Sequence, residues 1–172
     1  MQDLLKEIEV NGHAVLNGSH LVQLINIDDI EFGRNNGSKG EHTPITNVKL
    51  VKHALSIIHH ELYREFIEPC NKNYKISQAK QIWESSPEHH KLWHNDSYEE
   101  TNDMFFLLYF TDQRPTDDGA IHFKNDIGEH RYVPYPGLLI AVENSNPKWL
   151  HQVEPATSKR VVACLGFKID KE

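Results

Sequence analysis

The chain holds two cysteines in 172 residues, Cys70 and Cys164. Two thiols are too few for a disulfide scaffold, and scattered as they are they fit poorly a structural zinc site, which closes four ligands around the metal and often uses thiolates. Cys164 lies in the apolar run VVACLGF and reads as a reduced core residue. A basic excess is missing as well. The net charge is -7, which argues against a nucleic-acid module. No apolar run approaches the roughly 20 residues of a membrane span. The opening MQDLLKEIEV mixes charges with apolar residues and does not read as a signal peptide. The expectation is a cytoplasmic protein with no nucleic-acid or membrane partner.

Histidine is the residue present in excess. There are 12, against 3 Trp and 2 Met. Histidine is the commonest metal ligand and a frequent acid or base, so the positions of these residues matter. The chain is long enough for one domain whose core buries roughly 70% of the unfolded surface, so neither metal nor disulfide is needed merely to fold. One domain over 1–172 is expected.

Asn17-Gly18 stands between two apolar-alternating runs and signals a hairpin. The following stretch, Glu31 to Pro44, is rich in Gly and Asn and reads as a loop that could act as a lid. From Val48, apolar residues recur at Val51, Ala54, Leu55, Ile58, Leu62 and Phe66, which is helical spacing. Thr46 or Asn47 can cap the start and Pro69 ends the helix. His53, His59 and His60 fall on different faces of it and are assigned to surface or helix packing. Beyond Cys70 come short strand-like runs separated by Gly, Pro, Asn and Asp. The fold class expected is mainly β with supporting α: a double-stranded β-helix, a jelly-roll of cupin type, with the long helix packed on one outer face. N-terminal strands and the support helix would occupy 1–70 and the jelly-roll core about 75–170.

Within WHNDS, His94 and Asp96 are two apart, so in a strand they aim to one face. Alone this means little, since chance supplies about one such triplet in a chain with this many histidines. A third ligand changes the weight. His151 sits on a later predicted strand, and two histidines with one carboxylate form the facial triad of non-haem Fe(II) oxygenases, which leaves coordination positions open. Arg160 follows in WLHQVEPATSKRVV. A turn near Pro155 and Ala156 would return Arg160 opposite His151, and opposed residues of an antiparallel pair share a face. A buried guanidinium costs several kcal/mol unless paired. Glu154 belongs to the turn, so a bound carboxylate is the partner that suits, through a two-pronged salt bridge. The ligand inferred is a small acid reaching from iron to arginine.

At these residues the chain resembles the Fe(II)- and 2-oxoglutarate-dependent dioxygenases, and within them the prolyl 4-hydroxylase group. The similarity spans about Gln81 to Ile169. FLLYFTD is similar to the family's strand with a Tyr before Leu-Asn, DDGAIHF to its Gly-Gly turn and strand, and HQVEPATSKR to its distal His-to-Arg segment. Asp118-Gly119 replaces the glycine pair, and Trp83 and Glu84 stand where the prolyl group often carries a Tyr. The resemblance implies that His94, Asp96 and His151 bind Fe(II) and act in catalysis. It implies that Arg160 and Tyr109 bind the distal carboxylate of 2-oxoglutarate and that Ile121 lines that pocket. The cosubstrates implied are 2-oxoglutarate and O2, with succinate and CO2 released as a C–H bond is hydroxylated. Because Asp96 is a carboxylate and not a small residue, no coordination position is vacated for chloride, and halogenation is not expected. A peptidyl side chain, proline among the candidates, is the expected substrate; a free amino acid or small metabolite is the alternative.

Other residues have plainer readings. His90 and His94 are four apart, but Lys91 stands where a metalloprotease helix needs Glu. Trp93 should point away from the face of His94, and His122 is assigned to solvent or to the surroundings of the site. His130 is assigned to the surface. Trp83, Tyr98 and Trp149 are weaker candidates for the substrate rim, each more often a core or loop-packing aromatic. The acidic stretch YEETND reads as a solvated turn. The contrasting function is a non-catalytic cupin-like binding module. The cupin family's dense His-x-His with a following Glu is absent from this chain, and that reading gives Arg160 no purpose.

Overall fold

The run MFFLLY is apolar at every position, with no alternation to mark an inner and an outer face. A computed structural model shows why: both faces of this strand are covered. The structure describes residues 2–32, 42–43, 48–70, 74–85, 91–95, 103–144 and 149–169. These form helices α1 (Gln2–Asn11) and α2 (Val48–Leu62). The strands are β1 (His13–Asn17), β2 (His42–Thr43), β3 (Tyr74–Ser85), β4 (Lys91–His94) and β5 (Met104–Tyr109). They continue with β6 (Ile121–Lys124), β7 (Glu129–Tyr132), β8 (Leu138–Glu143), β9 (Leu150–Val153) and β10 (Arg160–Ile169).

Two antiparallel sheets result. The larger has the order β1-β8-β5-β10-β3-β2 and the smaller β4-β9-β6-β7. Alternate residues of the larger sheet feed two cores. Met104, Phe106 and Leu108 of β5, with Val161, Ala163 and Leu165 of β10, pack outward against Leu4 and Ile8 of α1 and Val51, Leu55, Ile58 and Leu62 of α2. Phe105, Leu107 and Tyr109, with Val162, face inward to Ile121 and Phe123 of the smaller sheet. A strand buried on both sides reads as a continuous apolar run. This is the jelly-roll expected, with helices on one outer face.

The helix spacing is borne out by burial: Val51, Leu55, Ile58 and Leu62 are all at most 2% exposed. Past Leu62 the backbone widens into a π-helical turn, Tyr63–Ile67. Leu62 and Ile67 are five apart, and the wider turn keeps both buried, while Phe66 is only partly covered. His59 is buried and donates its Nε2 N–H to the Gly166 carbonyl at 2.8 Å.

Two sequence expectations are corrected. Asn17-Gly18 does not turn a hairpin. β1 pairs instead with β8, from His13 opposite Val142 to Asn17 opposite Leu138. Gly18 serves close approach: a Cβ there would stand 2.8 Å from Leu108 Cδ1. Before β1, residues 2–11 form a helix with little signal in the sequence, because two buried apolar anchors, Leu4 and Ile8, make too thin a stripe to stand out. Second, the segment around Pro155 and Ala156 is not a hairpin turn. β9 belongs to the smaller sheet and β10 to the larger, so the chain crosses from one to the other. The N-terminal strands β1 and β2 lie at the two edges of the larger sheet. Of the proposed lid, Glu31 to Pro44, residues 33–41 and 44 lie outside the described residues, and His42–Thr43 pair with β3.

Candidate active site

The smaller sheet brings two histidines together. β4 and β9 are antiparallel, and His94 is directly opposite His151. Their ring centroids are 4.1 Å apart, tilted by 57°. His151 is also opposite Phe123 of β6, and Phe105 of the larger sheet closes over it at 6.2 Å. His151 therefore points into the interior and is buried. His94 Nδ1 lies 2.7 Å from the Leu92 carbonyl oxygen. A carbonyl can only accept, so Nδ1 carries the proton and Nε2 presents the lone pair. Such an outer hydrogen bond orients a metal-ligating imidazole. The donor set fits Fe(II), for which imidazole and carboxylate are ordinary ligands. Asp96 lies outside the described residues, and among the described residues no three His, Cys, Asp or Glu gather as a metal site. Two of the three expected ligands are adjacent.

Arg160 opens β10 on the opposite sheet and is 3% exposed. It faces inward with Val162, because alternate residues of β10 share a face. His151 and Arg160 thus look into one interior from two sheets, not from neighbouring strands. Nη1 of Arg160 donates to the carbonyls of Gly119 (2.7 Å) and Glu154 (3.1 Å). Among the described residues no carboxylate forms an ion pair with it. Burial pulls its guanidinium below the ordinary value, against the attraction of Tyr109, Asp118 and Glu154. It remains a cation, as arginine does in proteins. Tyr109, one strand over and opposite Val162, is buried. Burial pushes its phenol up to about 12, with Arg160 pulling the other way. Tyr109 is therefore a neutral O–H near neutral pH. Ile121, 1% exposed, faces this wall from β6 of the smaller sheet and packs in the same inner cluster as Tyr109.

No protein-family model matches the chain, and no curated protein matches its sequence. Solved structures do match. A 2OG-Fe(II) oxygenase-family oxidoreductase from Burkholderia pseudomallei superposes with a TM-score of 0.69 at 13% identity, covering 97% of this chain and 89% of that one. HygX from Streptomyces hygroscopicus, solved with nickel and 2-oxoglutarate, has a TM-score of 0.69 at 9% identity, covering 99% and 87%. A Pseudomonas putida prolyl-4-hydroxylase has a TM-score of 0.60 at 12% identity, covering 98% of both chains. The chain has the 2-oxoglutarate–Fe(II) oxygenase fold. At these identities the likeness is one of fold.

Within this fold the two carbonyls that hold Arg160 are themselves fixed. Gly119 N–H donates to the Pro155 carbonyl at 2.9 Å, and Glu154 N–H donates to the Ala120 carbonyl at 2.8 Å. Gly119 has φ +64, and a Cβ there would come 2.8 Å from Ala156 Cβ. No L side chain takes that conformation and that space comfortably.

On the outer face of the same sheet, a charged network anchors Glu154. Its carboxylate accepts from Arg131 Nε and Nη2, at 3.1 and 3.0 Å. His122 lies between Glu154 Oε1 at 2.5 Å and Glu129 Oε1 at 2.9 Å. Arg131 also holds Asp117 at 2.9 Å. The Arg131 hydrogen bonds, and then His122, hold the Glu154 carboxyl down to about 2. Sequence reasoning missed this network. Charged residues scattered over turns and short strands carry no signal until the sheet register sets His122 opposite Arg131.

The remaining candidates divide. Trp93 lies on the outer face, edge-on to His122 at 6.2 Å. Trp83 packs against the inner cluster. Trp149 lies where a Cβ on Gly12 would stand, 2.5 Å from its ring. His130 is not simply at the surface: its ring is 5.3 Å from that of the buried His13. His89, His90, Tyr98 and most of the acidic stretch lie outside the described residues.

Proposed function

We propose that this chain is an Fe(II)- and 2-oxoglutarate-dependent dioxygenase that hydroxylates a C–H bond of a peptidyl side chain, releasing succinate and CO2. The observation that carries this reading is a cation buried in the barrel, held by carbonyl groups, facing the same interior as two adjacent histidines. A buried guanidinium with no ion-paired carboxylate calls for an anionic ligand. The histidine pair calls for a metal. A dicarboxylic keto acid meets both demands.

His94, Asp96 and His151 would hold the iron, which when bound supplies the activation of dioxygen. The residues of the chain do the rest. Arg160 pairs with the distal carboxylate in the fork geometry that suits guanidinium, and Tyr109 donates its O–H to the same group. Phe105, Phe123, Ile121 and Val162 surround the site with apolar surface and exclude water. The prolyl hydroxylases among the structural neighbours, one solved with a peptide fragment, support a peptidyl substrate, and HygX, solved with hygromycin B, supports the alternative of a small metabolite.

Fe(II) and 2-oxoglutarate added without oxygen test the reading. A visible metal-to-ligand charge-transfer band is expected with wild-type protein, and its loss in Asp96→Ala and in His151→Ala. Admission of oxygen with a peptide library should then release succinate and add one oxygen to a peptide, read by mass spectrometry. Well-folded, iron-loaded protein that shows no band would refute the proposal.

A further inference from the structure

We propose that Ser85 is a third group binding the distal carboxylate of 2-oxoglutarate, beside Arg160 and Tyr109. The inference rests on the functional reading above and adds a residue to it. Ser85 ends β3 and is 1% exposed, and among the described residues its hydroxyl has no hydrogen-bond partner. A buried hydroxyl left without a partner is uncommon, because removing it from water without replacement bonds is costly. Its placement explains the exception. β3 and β10 are antiparallel, and Ser85 is directly opposite Arg160. Opposed residues of such a pair share a face. That face is the inner one: Trp83, two residues before Ser85, and Val162, two after Arg160, both belong to the inner cluster. The flanking Lys159 and Glu84 form an ion pair of 3.1 Å that ties the two strands together at this end.

The row therefore presents a cation and an O–H donor side by side to one interior. Arg160 uses Nη1 on two backbone carbonyls. An anion drawn to its fork brings acceptor oxygens to the hydroxyl opposite. A carboxylate has two oxygens and about four lone-pair positions, enough for a guanidinium, a phenol and a serine together. A hydroxyl also suits no purpose in packing here, since alanine would fill the same place without a buried donor.

Binding of two keto acids, measured anaerobically by calorimetry on Fe(II)-loaded protein, tests the inference. 2-Oxoglutarate carries the distal carboxylate and 2-oxobutyrate lacks it. Ser85→Ala should weaken 2-oxoglutarate roughly tenfold or more, the scale of a hydrogen bond to a charged group. It should leave 2-oxobutyrate unchanged and leave the melting temperature of the ligand-free protein equal or higher. Ser85→Cys keeps the volume but only a weak donor, and should weaken 2-oxoglutarate similarly; Ser85→Thr should retain binding. Equal 2-oxoglutarate affinity in wild type and Ser85→Ala would overturn the inference while the functional reading stands. Equal weakening of both acids would overturn it too, by placing the effect away from the distal carboxylate. Wild-type protein that binds metal but no 2-oxoglutarate would bring down the functional reading and this inference with it.

Discussion

Gly119→Ala should destabilise the protein and disturb its arginine at once. The backbone there has φ +64, and an L residue held in the left-handed region loses about 1–2 kcal/mol. The added Cβ would also meet Ala156 Cβ at 2.8 Å, well inside the roughly 3.5–4.0 Å of comfortable carbon contact. Overpacking of that kind costs about 1–3 kcal/mol. Together the loss is about 2–5 kcal/mol, which for a domain of this size lowers the melting temperature by roughly 5–15 °C. Thermal unfolding followed by circular dichroism reads it. The new methyl would also lie 3.3 Å from Arg160 Nη1, the atom that the Gly119 carbonyl receives, so affinity for 2-oxoglutarate should fall with stability. Ala156→Gly in the same chain removes the collision but not the strained dihedral, and should restore the packing share of the loss in a double-mutant cycle. A Gly119→Ala protein melting within about 1 °C of wild type would refute the reasoning, since 1 kcal/mol alone moves a domain of this size further. So would a double variant no more stable than Gly119→Ala.

Other perturbations follow from the same geometry. Arg160→Met should abolish measurable binding of 2-oxoglutarate while iron binding, read by the metal content of the dialysed protein, is kept; retained affinity would remove the anion site from the reading. Glu154 is pulled from its ordinary 4.5 to about 2, first by Arg131 and then by His122. A carboxyl depressed by folding adds stability above its unfolded value, and that contribution is lost as pH falls from about 4.5 towards 2. Glu154→Gln should therefore unfold more easily than wild type at pH 7 in urea, and the gap should close across that acid window. His13 behaves likewise with the opposite charge. Burial, aided by His130, lowers its imidazole to about 4, so it stays neutral, its Nδ1 N–H donating to the Asn11 carbonyl and its Nε2 accepting from the Tyr132 hydroxyl. Below its unfolded value of 6.5 the unfolded chain binds the extra proton, so stability is lost as pH falls from 6.5 to 4, by an amount on the order of 3 kcal/mol. His13→Gln should flatten that part of the pH profile; an unchanged slope would show that another group sets it.

What the chain determines by itself is local and periodic. The spacing of Val51, Leu55, Ile58 and Leu62 declares a helix, because each lies one turn from the next. The succession of short apolar runs between turn residues declares a jelly-roll, and the order His94, Asp96, His151, Arg160 is the pattern from which the proposed metal and acid are inferred. Tertiary structure decides what distance in sequence conceals. WLHQVEPATSKRVV has the look of a hairpin because two apolar runs flank a proline, yet pairing partners come from the whole chain, and β9 and β10 each find better-covered neighbours in different sheets. Asn17-Gly18 loses its local turn for the same reason, since the buried β8 rewards β1 more than a two-residue loop could. The serine opposite Arg160, the glycine carbonyl that receives it and the carboxylate-bridged His122 leave no pattern along the chain. Each is made by register, and register is set only when two strands have settled which of their faces the core will cover.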